Sequence, residues 1–335
     1  MKNNIHLIVS SFAIGLILVG CAPKTKKATG IDLSLMDATV RPQDDFYNYV
    51  NGTWMENTDI PEDRTRWGSF DELREKTDAD VLALLKEAAT KEQDETSDEG
   101  KAILLFKLIT DAITRDADGI NPLKPFLNQI NQIASLEDVQ NYLIKTQPYG
   151  SGGIFGFYVS SDAKDSNKNV AHVYAGPLGI ERDYYLKDDE DSKKVKAQYE
   201  THVARMFGFL GSDETVSAAL AANVVAMETQ MAEARLDKVE RRDPAKRYNP
   251  TAMKGLQSLV SSVNWNAYFN GIGAKGLEEI IVTDLGYFTA LNGLLEGNSI
   301  ADWKAYLKWT LVDQAANELT TEMETANWDF YSKTL

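Results

Sequence analysis

The stretch Arg41–Lys76, RPQDDFYNYVNGTWMENTDIPEDRTRWGSFDELREK, sets the reading of the whole chain. Asp44 and Asp45 follow Pro42 and precede Phe46, Tyr49, Val50 and Trp54. Those apolar residues recur at helical spacing, and acids at that end complement the partial positive charge of a helix N-terminus. Ser69-Phe70-Asp71-Glu72 reads as a capping box, in which the serine and the acid three residues on each satisfy the other's backbone N–H. Behind it Leu73, Val81, Leu84, Leu85 and Ala88 form one apolar stripe. Two amphipathic helices in succession, with no strand pattern between them, point to a helical protein.

The same pattern extends toward the C-terminus. Residues 99–115 carry Ile103, Phe106, Ile109 and Ile113 on one face. Asn121-Pro122 reads as a helix start with Asn as cap and Pro in the first turn, and Ser135-Leu136-Glu137-Asp138 starts another. A long helix from about Ser192 to Leu210 is followed by one from about Asp213 to Arg235, and Ser299 caps a last long helix through Trp303, Tyr306 and Leu311. Asn264 caps a short helix whose Trp265, Tyr268 and Phe269 share a face, which reads as core packing. One region departs from the rule: Gly153–Ser160 and Asn169–Tyr174 are β-rich runs around a polar turn and read as a hairpin. The glycines at 150, 152, 153 and 156 lack the Lys-Ser/Thr ending of a phosphate loop. Lys91–Glu99 reads as a solvated loop between helices.

At the other end, Lys2 precedes a mostly apolar run, Leu7–Val19, too short for a stable membrane span and suited to the core of a signal peptide. Small residues then lead into Cys21, as in a bacterial lipobox, where the thiol carries a diacylglycerol. Several acyl chains hold a protein firmly at a membrane where one does not. The expected organisation is residues 1–20 as lipoprotein signal, 21–40 as a lipidated tether that includes the basic stretch Ala22–Gly30, and 41–335 as one folded domain. The expected location is the bacterial cell envelope, lipid-anchored, with Ala22 after the cysteine favouring the outer membrane.

Cys21 is the one cysteine, so neither a disulfide framework nor a cysteine metal site is available. A net charge of −15 argues against phosphate backbones as partners, and no nucleic-acid role is expected. Of three histidines, His6 leaves with the signal, His172 lies in the second hairpin strand, and His202 lies on an apolar helix face between Tyr199 and Met206. None has a second histidine at ligand spacing, and no H-E-x-x-H and no G-x-S-x-G occur in the 335 residues. The residues by themselves show no catalytic apparatus, so no catalytic residue and no metal ligand is assigned to this chain.

The order of four segments carries a resemblance. Arg41–Lys76 resembles the opening of the neprilysin and endothelin-converting-enzyme family of zinc endopeptidases, with its Pro-x-Asp-Asp-Phe-Tyr helix, its N-G-x-W turn and its R-[YW]-G-x-F segment. Leu178–Leu186, LGIERDYYL, is similar to the family's G-L-P-x-R-D-Y-Y. Arg242-Asp243-Pro244 with Tyr248-Asn249 is similar to R-D-P…Y-N, and Trp328–Leu335 to F-x-F-Y-x-x-x-L. The resemblance implies a mainly α fold, a multi-helix lobe with a small β-hairpin, forming the N-terminal part of a two-lobed metallopeptidase around a large cavity. It also implies zinc as cofactor, peptides as substrates, and a C-terminal half, absent here, that holds zinc through H-E-x-x-H and a later Glu.

One site of the family falls within this half. The Arg of R-[YW]-G-x-F takes the free C-terminal carboxylate of short peptides, and the matching residue is Arg66, with Asp71 and Arg74 as supporting charges. A guanidinium binds a carboxylate through two parallel hydrogen bonds. Asp71 and Arg74, three apart at a helix start, can instead pair with each other. The chain alone is expected to be inactive and to expose the apolar surface that would face the missing half. The competing reading is a non-catalytic helical lipoprotein that binds peptides or glycans.

Overall fold

The computed structural model describes residues 30–150 and 153–335. The signal peptide, Cys21 and the tether up to residue 29 lie outside the described residues. The chain divides into two compact units, one ending at Lys91 and the other spanning Glu92–Leu335. No helix among the described residues is long and apolar enough to cross a membrane.

In the first unit, α1 spans Phe46–Asn57 and α2 spans Ser69–Ala89. Asp45 caps α1, accepting from the Asn48 N–H at 2.9 Å, as the acids before Phe46 imply. Gly52 is buried because the incoming chain crosses α1 there: a β-carbon on it would lie 2.6 Å from that of Asp37. The Asp37 N–H donates to the Tyr49 carbonyl at 3.0 Å, and the Thr53 hydroxyl to that of Met36 at 2.8 Å.

One expectation for α2 is corrected. Gly68, not Ser69, is the cap residue, and no side chain caps this helix. The Asp71 and Glu72 N–H groups reach the Gly68 carbonyl, so Ser69 is already the first helical residue and no capping box forms. The apolar stripe of α2 is not buried within the unit: Leu73, Val81 and Leu84 are 61%, 48% and 66% exposed.

The second unit begins with α3 (Asp98–Thr110) and α4 (Ala112–Asp118). A single helix over residues 99–115 is not formed, because Asp111 leaves helical geometry and its carboxylate caps α4 through the Thr114 N–H at 3.0 Å. Ile103 is buried, whereas Ile113 is 85% exposed. Asn121 is not a cap but the first residue of a 3-10 turn, Asn121–Leu123, that runs into α5 (Lys124–Gln132). Ser135 caps α6 (Leu136–Thr146) as expected.

The hairpin forms from β1 (Phe155–Ser161) and β2 (Asn169–Ala175), paired antiparallel with Gly156 opposite Tyr174. The Tyr174 ring fills the place of a side chain at Gly156. Helices α7 (Arg182–Leu186), α8 (Glu190–Phe209) and α9 (Glu214–Glu233) follow, the last two capped by Asp189 and Asp213. After α10 (Pro244–Arg247) come β3 (Asn249–Ala252), α11 (Met253–Leu259), α12 (Trp265–Gly271) and β4 (Glu279–Val282). The sheet order is β1-β2-β4-β3, with β4 parallel to β2 and antiparallel to β3. β3 contains Pro250, which an edge strand tolerates because one side of it needs no ladder donor.

Helices α13 (Leu285–Gly297), α14 (Ile300–Ala315) and α15 (Thr321–Trp328) close the unit, with a π-helical turn over Asp329–Thr334. Ser299 caps α14 as expected, and with Asp302 it forms a capping box. Trp265, Trp303, Trp309, Tyr287 and Tyr306 are fully buried, each contributing about 1.5–3 kcal/mol or more by area removed from water. The polar tips of Trp265, Trp303, Tyr287 and Tyr306 are satisfied, the two indole N–H groups donating to the Val260 and Leu295 carbonyls, each at 3.2 Å. Tyr287 donates to the Ile154 carbonyl at 2.6 Å and Tyr306 to that of Gly153 at 2.8 Å, which fixes the start of β1 against α13 and α14. Trp265, Tyr268 and Phe269 are all buried, so the α12 face is core.

Candidate functional site

Arg66, Asp71 and Arg74 lie in the first unit. Arg66 sits in the turn before α2, exposed, and its guanidinium has no hydrogen bond or ion pair among the described residues. Asp71, half-buried, and Arg74, exposed, stand on the first turns of α2, and the pairing between them that their spacing permits is not made. Close by, Trp54 donates through its indole N–H to the Glu72 carboxylate at 2.9 Å and holds α1 to α2. A free guanidinium beside a braced helix start is able to take a carboxylate with both of its parallel donors.

The second unit carries a larger feature. Two of the family-like segments, Leu178–Leu186 and Arg242–Asn249, meet at a cleft of about 770 Å³ floored by Tyr174 of β2 and by Thr283 and Asp284 after β4. Its walls bear six cations, Lys187, Arg235, Lys238, Arg241, Arg242 and Arg247, against the carboxylates of Glu181, Asp183 and Asp284. A further hollow of about 580 Å³ shares Tyr174, Glu181, Arg235 and Arg241 with it, so the depression continues along the 176–182 segment.

The acids of the cleft are already engaged. Asp183 pairs with Lys187 at 3.0 Å, and that hydrogen bond holds its carboxyl below the usual range. Glu181 pairs with Arg241 at 3.3 Å. Asp284, buried, accepts from the backbone N–H groups of Leu236 and Tyr287, each at 3.0 Å. Among the cations, Arg235 donates to the Gly176 carbonyl and lies over the Tyr287 ring, 5.2 Å from its centroid. Its Nε is buried with no hydrogen-bond partner among the described residues. Arg242 and Arg247 are exposed and have no side-chain partner among the described residues.

A buried carboxyl supports the wall. Glu228 of α9 is 1% exposed and accepts from the Tyr185 hydroxyl at 2.7 Å and the Tyr199 hydroxyl at 2.6 Å. Burial pushes its carboxyl up to about 7 against the pull of those bonds. The Tyr185 oxygen in turn accepts from the Ile180 N–H at 3.3 Å. The segment around Arg182-Asp183-Tyr184-Tyr185 is thus pinned from inside by tyrosine and held outside by ion pairs.

No group of three or more His, Cys, Asp or Glu side chains arranged to hold a metal ion occurs among the described residues. His172 stacks on Tyr158 at 4.5 Å, with Nδ1 3.1 Å from the Val170 carbonyl. His202 lies among Trp309, Phe330 and Tyr331, and burial lowers it to about 4. Both are packed core residues, and neither fits a zinc site.

The sequence reading passed over Arg235, Lys238, Arg241, Arg247 and Glu228. The run Lys238–Arg247, KVERRDPAKR, is itself a visible signal, with five cations in ten residues. Arg235 and Glu228 give none, because only the fold brings them to the cleft and its wall.

A family model described as Peptidase family M13 matches residues 42–335. Endothelin-converting enzyme 1 of Cavia porcellus is 27% identical over 311 residues, covering 89% of this chain and 41% of that protein. The endothelin-converting enzyme homolog of Locusta migratoria is 28% identical over 322 residues, covering 89% and 43%. Among solved structures, the zinc metalloprotease ZMP1 of Mycobacterium tuberculosis in complex with an inhibitor matches with a TM-score of 0.81 at 32% identity, covering 91% of this chain and 47% of that one. The chain spans less than half the length of these relatives.

Proposed function

We propose, from the premise that this chain belongs to peptidase family M13, that it forms the N-terminal, peptide-holding part of a zinc metalloendopeptidase. The observation that carries the reading is the family match over residues 42–335. Metallopeptidases of the family are zinc-dependent. The histidines described here do not fit zinc, so the metal and the general base belong, on this reading, to a further part of the same protein, and this chain alone is inactive.

The contribution of this chain is binding. Arg66 takes the C-terminal carboxylate of a short peptide through paired N–H donors, with Asp71 and Arg74 setting the charge around it. The uncovered apolar residues of α2 and α3, among them Leu73, Leu84, Leu105 and Leu108, support a remaining half that packs over them. Cys21 carries the lipid that holds the protein in the bacterial envelope. Cell fractionation of the natural protein and its Cys21→Ser variant tests the anchor, which predicts loss from the membrane fraction in the variant.

The main test compares the natural gene product with this chain expressed alone, for zinc content and for hydrolysis of a fluorogenic peptide. The natural product is expected to hold one zinc and to cut the peptide, and the chain alone to do neither. A natural product that binds peptides or glycans with neither zinc nor cleavage would put the non-catalytic lipoprotein in its place.

A further inference from the structure

The cleft between Leu178–Leu186 and Arg242–Asn249 is a place of positive charge on a strongly acidic protein. The chain carries −15 overall, yet the cleft wall bears twice as many cations as carboxylates. All three carboxylates there are already held, two by lysine or arginine and one by backbone N–H groups. What remains unpaired is two guanidinium groups, Arg242 and Arg247, on the same wall. A concave wall of one sign focuses the field and raises the local concentration of oppositely charged ligand, while the acidic remainder of the surface repels it.

The shape selects among anions. The volume of about 770 Å³ is within the range of about 300–1,000 Å³ that holds organic ligands and exceeds the need of a bare inorganic ion. The adjoining hollow, reached past Tyr174 and Arg235, lengthens the site in one direction, which suits an extended chain. Guanidinium groups match planar carboxylates through two parallel bonds. The buried support of the wall, Glu228 with Tyr185 and Tyr199, keeps the 178–186 side fixed before a ligand arrives.

We infer that this cleft is a binding site for acidic side chains of a peptide, with Arg242 and Arg247 as the residues that take the carboxylates. The inference rests on the peptide-binding reading above and adds to it a substrate class: peptides that carry aspartate or glutamate side chains.

The test uses fluorescence anisotropy on the intact chain. One labelled probe is a glutamate-rich peptide with an amidated C-terminus, and the other is the same peptide with every glutamate replaced by glutamine. The glutamate peptide is expected to bind about tenfold tighter or more at low salt, with the preference shrinking as salt screens it. The combined Arg242→Glu and Arg247→Glu variant is expected to abolish the preference and leave the affinity for the glutamine peptide unchanged. Because neither side chain has a partner among the described residues, its thermal melt is expected to match the parent. Equal binding of the two peptides, or binding of neither, overturns the cleft assignment and leaves the Arg66 reading standing, because amidation removes the carboxylate that Arg66 takes. A preference that survives the double variant places the acidic site elsewhere and overturns the assignment. So does displacement by a sulfated polysaccharide without discrimination between the peptides, which marks a general polyanion surface.

Discussion

The Tyr199 hydroxyl occupies the space that any side chain at Gly179 would need, and from there it donates to Glu228 at 2.6 Å. Gly179 belongs to the family-like segment 178–186, so a residue that reads as part of a motif is there because a buried tyrosine needs the room. Gly179→Ala is expected to displace Tyr199 and cost about 1–3 kcal/mol. Gly208→Ala, in α8 with nothing near its missing β-carbon, is expected to be neutral or stabilising by up to about 1 kcal/mol. Urea denaturation of the two variants beside the parent checks the contrast.

The same carboxyl gives the stability a pH dependence. Glu228 is pushed up from its ordinary 4.5 to about 7, so its contribution is fully present below 4.5 and is lost as pH rises through about 7. Asp313, pushed up by burial to about 6, has the same sign. His202 has the opposite sign: lowered to about 4, it contributes above its ordinary 6.5 and loses that contribution as pH falls through about 4. The terms oppose one another between 4.5 and 6.5, and above that window Glu228 acts alone. The melting temperature is expected to fall between pH 6.5 and 8, and Glu228→Gln is expected to flatten that fall. A parent whose melting temperature rises over that interval contradicts the assignment.

Arg66→Ala is expected to weaken binding of a short peptide with a free C-terminus by about 10- to 100-fold, the worth of a charge-assisted hydrogen bond. Binding of the amidated peptide is expected to stay unchanged, as is the melting temperature, because the side chain has no partner among the described residues to lose. Asp71→Asn and Arg74→Ala are expected to have smaller effects of the same kind. Titration with both peptides checks all three variants.

The chain alone is expected to bind a hydrophobic dye and to self-associate at high concentration, since Leu73 and Leu84 of α2 are largely exposed. Leu73→Lys with Leu84→Lys is expected to reduce dye binding while changing stability by no more than about 0.5 kcal/mol per site. Dye fluorescence and light scattering check it; a monodisperse chain with little dye binding contradicts the account of an incomplete fold.

What the sequence discloses follows the range of the interactions. Asp45, Ser135, Asn264 and Ser299 cap the helices that follow them, because a cap is decided within four residues. The hairpin is legible for the same reason. Gly68 displaces Ser69 as cap, and Asp111 breaks the stripe over residues 99–115, because a nearby polar or flexible residue can compete for the same backbone groups. β3 and β4 are four residues each, too short to show a period, and exist through pairing with distant strands. The cleft joins residues far apart in the chain, Lys187 with Arg247 and Tyr174 with Asp284, and no local pattern announces that.

The central claim is that this chain is the peptide-holding part of a larger zinc peptidase. Reading the natural transcript beyond the codon for Leu335 tests it most directly. The account predicts an open frame that continues into an H-E-x-x-H and a later glutamate ligand; a stop codon directly after Leu335 contradicts it.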